Sequence, residues 1–113
     1  MSKIYKIESL LSDDVYYGCT SKKYLSERMT YYSHEYKKYL RAKLDDNSFK
    51  KYCNMKEEYD HQSLLKLFEL FDKFDVRNFR INLITIVDGK NKDYSKSKLF
   101  DYIKNNNCIN NVK

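Results

Sequence analysis

With 113 residues, 42% of them hydrophobic, the chain has room for one domain, residues 1–113, and a core that needs no staples. No apolar run approaches the length that crosses a bilayer, and the first residues lead straight into a strand pattern rather than a secretory leader, so membrane-embedded and exported classes are set aside. A net charge of +6, with seven basic residues from Thr20 to Lys43 against Glu27 and Glu35, fits either a polyanionic partner or a solvated lysine-rich surface.

Three cysteines without a CxxC or Cys/His spacing read as reduced thiols of an intracellular protein, in the cytoplasm or nucleus. Twelve tyrosines, six phenylalanines and no tryptophan give tyrosine much of the packing, with its hydroxyl left to find a polar partner. The excess of Lys, Asn, Tyr and Ile also fits a low-GC or viral genome, which weakens any reading of single lysines or asparagines.

In chain order, Lys3 to Glu8 and Val15 to Cys19 alternate as two strands joined by a turn at Ser12-Asp13-Asp14. Tyr5 and Ile7 share one face of the first strand, Tyr16 and Gly18 one face of the second. Gly18, one of two glycines, stands where the second strand gives way to a helix, and permits a sharp turn or a close approach there. Thr20 or Ser21 is positioned to cap a helix from Lys22 to about Leu44, whose apolar stripe is Leu25, Met29, Tyr32, Tyr36 and Tyr39.

Asp45 to Ser48 breaks that pattern, and Phe49 to His61 is ambiguous, a short irregular helix at most. Ser63 then caps an apolar helix ending near Phe74, the central core element. Asn78 to Val87 is apolar on both faces, Phe79, Ile81, Leu83 and Val87 on one and Ile84 and Ile86 on the other, as in a covered central strand. Asp88 to Asn91 is a turn and Tyr94 to Asn105 a last helix. The order ββα(α)αβα predicts an α+β sandwich with a three-stranded, mostly antiparallel sheet flanked by helices.

Along nearly its whole length the chain resembles the GIY-YIG nuclease domain. Lys3-Ile4-Tyr5 stands where that family has Gly-Ile-Tyr, and Tyr16-Tyr17-Gly18 where it has Tyr-Ile-Gly. Leu25 and Arg28 continue the pattern into the first helix, followed by Tyr36-Lys37. Leu67-Phe68-Glu69-Leu70-Phe71, Asn78-Phe79-Arg80-Ile81, Tyr102-Ile103 and Cys108-Ile109-Asn110 extend it through the second half. The resemblance implies an endonuclease that hydrolyses DNA phosphodiester bonds with one divalent metal, Mg2+ or Mn2+. It makes Tyr5 the base acting on water, with Lys3 or Lys6 helping to tune it. Tyr16 would position the water or phosphate, and Arg28 would grip the phosphate with its fork.

The resemblance and the charge together make Lys6, Lys22, Lys23, Lys37 and Asn110 candidate nucleic-acid contacts. Tyr32 stands where the family has a histidine. Leu99 stands where it has its metal-binding glutamate, and a leucine binds no metal, so the nearest substitute carboxylate is Asp101, two residues along the helix. The sequence therefore leaves two further classes open: a metal-free nucleic-acid-binding module, and an assembly protein with a protein partner or self-association.

Overall fold

The computed structural model describes residues 2–53, 61–87 and 92–110. Strands β1 (Ser2–Ser9) and β2 (Val15–Thr20) are followed by helices α1 (Leu25–Ala42), α2 (Asp46–Cys53) and α3 (His61–Phe74). A 3-10 turn (Val76–Asn78) then leads into β3 (Phe79–Val87) and α4 (Lys92–Asn105). The sheet is antiparallel throughout with the order β2-β1-β3, the expected three-stranded α+β architecture. The turn foreseen at residues 88–91 lies outside the described residues.

The β1–β2 connection needs neither glycine nor proline, because polar side chains bond its backbone. Leu11 N–H donates to Ser9 Oγ (3.0 Å), and Asp14 N–H donates to Ser12 Oγ (3.4 Å), whose own hydroxyl donates to Asp14 Oδ2 (2.7 Å). Leu10 N–H reaches the Asn78 carbonyl at 2.8 Å, which ties this hairpin to the turn before β3.

The central strand is β1, not β3. Ile4, Tyr5 and Ile7 are wholly buried, whereas β3 lies at an edge with Leu83 47% and Ile86 51% exposed. An apolar run alone does not tell a central strand from an edge strand, and here both strands carry one. The pairing also skips a residue: Ile4 faces Thr85 while Tyr5 faces Leu83, which leaves Ile84 as the extra residue of a β-bulge. Phe79, Ile81 and Leu83 therefore line up with Ser9, Ile7 and Tyr5, but beyond the bulge Val87 pairs with Ser2 and Ile86 with Lys3. The expectation that Val87 shares the Phe79 face fails at that bulge.

Three helix starts also differ from the sequence reading. Helix α1 begins at Leu25 behind Tyr24, with no side-chain cap; Thr20 Oγ1 accepts from Lys22 N–H (3.1 Å) in the preceding turn instead. The break after α1 does occur, but it lies at residues 43–45, and Asp45 at its end initiates α2, its carboxylate accepting from Ser48 N–H (3.2 Å) and Ser48 Oγ–H (2.8 Å). Ser63 lies inside α3 and donates its hydroxyl to the Asn110 carbonyl (3.2 Å).

Helices α1 and α3 cover the Tyr5 face of the sheet. The core there is largely aromatic: Tyr36 meets Phe71 edge-on at 5.3 Å, Tyr39 meets Phe68 at 5.4 Å, and Phe71 meets Phe79 at 4.8 Å. Burying a side chain such as Phe68 or Leu67, both without exposure, contributes roughly 1.5–3 kcal/mol. Helix α4 covers the other face, where the Tyr17 and Tyr102 rings lie 6.2 Å apart. Asp75 ends α3 with φ 71° and accepts from Arg77 N–H (3.0 Å), a left-handed position that a short polar side chain tolerates. No helix among the described residues is long and apolar enough to cross a membrane.

Candidate functional site

Strand alternation sends Tyr5, Tyr16 and Gly18 to the same face, and α1 brings Arg28 and Tyr32 down onto them. Tyr5 pairs across the sheet with Gly18, and its ring lies flat over that residue. A Cβ on Gly18 would come within 2.3 Å of the Tyr5 ring, closer than any real contact. The glycine is needed for this approach and not for a turn: it sits within β2, and its φ is not positive. Omitting one side chain from β2 makes room for the reactive-looking phenol of β1.

The Tyr5 hydroxyl is shared between two partners on α1. It lies 2.6 Å from the Tyr32 hydroxyl and accepts from Arg28 Nε–H at 3.0 Å. The Arg28 guanidinium also stacks over two rings, 4.3 Å from the centroid of Tyr31 and 5.0 Å from that of Tyr32. Tyr16 completes the cluster, its ring edge-on to Tyr32 at 5.8 Å. The three residues that the sequence singled out, Tyr5, Tyr16 and Arg28, thus converge on one buried residue that it had not given a role, Tyr32. The available signal was spacing: Tyr32 follows Arg28 by one helical turn.

Burial, then the neighbouring Tyr32 phenol, raises the Tyr5 hydroxyl far above its ordinary value of 10.0, with Arg28 only partly opposing. Tyr32 is raised as well, first by burial and then by Tyr16. For Arg28, burial pulls downward, but Tyr32 and Tyr5 outweigh it and hold the guanidinium protonated. Neutral phenols therefore surround a fixed, half-buried cation. None of the ion pairs among the described residues includes Arg28; its partners there are the Tyr5 hydroxyl and the Tyr31 and Tyr32 rings.

The other candidates lie around this cluster. Lys6, next to Tyr5 on β1, points to the opposite face and pairs with Glu8 at 3.2 Å. Lys3 Nζ donates to the Lys22 carbonyl (3.0 Å) and to that of Lys23. The groups at the Tyr5 hydroxyl are instead Tyr32, which raises it, and Arg28, which opposes that rise. The same bonds from Lys3 pin the loop that presents the exposed Lys22 and Lys23 side chains beside the start of α1. Lys37 lies on the other flank of α1, where it lines with His34 and Arg80 a groove of about 500 Å³ against β3.

Asn110 clamps the outer edge of β2. Its Oδ1 accepts from Tyr17 N–H (2.8 Å) and its Nδ2 donates to the Tyr17 carbonyl (2.9 Å), while Ile109 N–H reaches the Val15 carbonyl (2.9 Å). Leu99 is half-buried and Asp101 exposed on α4, the helix that packs against Tyr17 and not against the Tyr5 face.

Magnesium and manganese take oxygen ligands, commonly carboxylates. The cluster offers neutral phenols and a guanidinium, and among the described residues no three His, Cys, Asp or Glu side chains come together. These residues do not fit a divalent cation; a half-buried cation ringed by hydroxyl groups fits an anion. Comparison with protein-family models, curated proteins and solved structures finds no match to this chain.

Proposed function

We propose that this chain is a GIY-YIG-like domain that binds the phosphodiester backbone of DNA at the Tyr5–Tyr16–Arg28–Tyr32 cluster. The observation that carries the reading is the Arg28 guanidinium, held in place by Tyr5 and two aromatic rings and, among the described residues, without a carboxylate. A phosphate oxygen pair is the natural counter-charge for such a fork. Exposed Lys22 and Lys23 beside it extend the positive surface along which a backbone lies.

The test is DNA affinity against salt. Arg28→Ala lowers affinity at least tenfold, in line with the roughly 1.5–3 kcal/mol of a hydrogen bond to a charged group. Arg28→Lys recovers little of it, because the ammonium keeps the charge but loses the fork. Log affinity falls with log salt, and Lys22→Ala and Lys23→Ala flatten that slope. Affinity indifferent to both salt and Arg28 removes the proposal.

The convergence of Tyr5, Tyr16 and Arg28 favours a second reading, an endonuclease that hydrolyses DNA phosphodiesters. Since the donor set does not suit Mg2+ or Mn2+, we expect bound DNA to remain intact with either ion. Nicking that requires Mg2+ or Mn2+ and is lost in Tyr5→Phe would establish the enzyme instead.

A further inference from the structure

Tyr24 is the extended residue that immediately precedes α1, and Arg28 and Tyr31 follow within its first two turns, three residues apart. They carry two features that phosphate binding alone does not use. Tyr24 is 58% exposed and Tyr31 is 39% exposed. The Tyr24 ring is held at the helix start, with the Lys23 ammonium 5.4 Å from its centroid and the loop behind it pinned by Lys3. One turn further on, Arg28 is stacked on Tyr31 at 4.3 Å, which fixes the direction of the guanidinium. Six residues separate the two tyrosines, and from Leu25 to Tyr31 the helix rises roughly 9 Å at 1.5 Å per residue.

From this arrangement we propose that the site takes single-stranded or locally unpaired nucleic acid, with a nucleobase stacked on the Tyr24 ring and the adjoining phosphate held by Arg28. The proposal rests on the phosphate reading above and names its substrate class. Proteins that hold single strands combine a cationic track with exposed aromatic faces on which successive bases stack. A duplex keeps its base faces within its own stack and presents only phosphates to the helix, so Tyr24 would gain nothing from it. A solvent-facing tyrosine flanked by lysine, four residues before a cation that meets no carboxylate among the described residues, is an arrangement suited to an extruded base.

The chain has no tryptophan, so Tyr24→Trp introduces a single reporter at the stacking position. The substitution is tolerable because the helix start makes no use of the Tyr24 side chain as a cap. A fluorescein-free oligothymidylate is the probe, with a duplex of equal length as the comparison. We expect single-stranded oligothymidylate to quench the Tyr24→Trp emission and the duplex to leave it unchanged. Tyr24→Leu lowers affinity for the single strand about tenfold, Tyr24→Phe keeps it within twofold, and neither alters duplex affinity.

Unquenched emission at saturating single strand, or equal effects of Tyr24→Leu on single strand and duplex, overturns the inference. If Arg28→Ala still weakens both while Tyr24→Leu weakens neither, the phosphate reading survives and this one does not. If no DNA binds, or Arg28→Ala changes nothing, the phosphate reading fails and takes this inference with it.

Discussion

Gly18 and Tyr5 act as one unit, since the glycine is what lets the phenol lie down across β2. In Gly18→Ala the new methyl collides with the Tyr5 ring 2.3 Å away, so the ring must lift away from Arg28. Overpacking of this kind costs roughly 1–3 kcal/mol, and urea denaturation together with DNA binding would register both the lost stability and the displaced phenol. The phenols also set a pH limit. Tyr5 and Tyr32 hold their protons more tightly folded than unfolded, where the value is 10.0, so their contribution is complete below pH 10 and is lost as pH rises above it. The decline is at most about 1.4 kcal/mol per pH unit for each group. Tyr32→Phe removes one such group and relieves Tyr5, and thermal melting from pH 8 to 11.5 should show a shallower fall than in the parent chain. Tyr5, Tyr16 and Arg28 were marked as a site by the resemblance, with alternation and spacing supplying only their faces; Gly18 was left between a turn and a close approach, because a cross-strand ring contact leaves no mark in the local sequence.

At the level of elements, α1 is held to α3 by a polar latch outside the aromatic core. Asp72 on α3 accepts from Tyr36 Oη–H at 2.5 Å and from Lys43 Nζ at 2.9 Å. Burial works against the Asp72 charge, but these two bonds prevail and hold its carboxyl below its ordinary value. Its contribution is therefore present at neutral pH and fades as pH falls through the folded value. The latch is partly solvated, so Asp72→Asn should cost no more than about 1 kcal/mol. The Tyr36→Phe/Asp72→Asn pair should be less than additive in a double-mutant cycle read by urea melts. Helix and strand order could be read from periodicity, whereas the places of β1 and β3 could not. An apolar run records burial but not which neighbours provide it, and the Ile84 bulge reverses the alternation midway through β3.

Across the whole molecule, the sheet separates two environments. One face carries the phenol–guanidinium cluster under α1, and the other carries α4 with Leu99 and Asp101. The departure at Leu99 was visible in the sequence, but the side of the sheet that α4 covers was not, since it depends on packing between residues far apart. The Asn110 clamp is one such link, joining positions 93 residues apart. Asn110→Ala removes both bonds to the Tyr17 backbone and leaves that strand edge unmet, at a cost of roughly 1–3 kcal/mol. Faster amide exchange at Tyr17 together with a lower melting temperature is the expected result; unchanged exchange there would show the clamp to be dispensable.

That clamp also imposes a schedule. During synthesis β2 is made long before Asn110, and through that interval its outer row of amide and carbonyl groups is open to any passing strand. The β2 edge that flanks Tyr16 is thus covered only once the last part of the chain has been made, and Asn110→Ala should make the protein more prone to self-association through that edge, as read by light scattering.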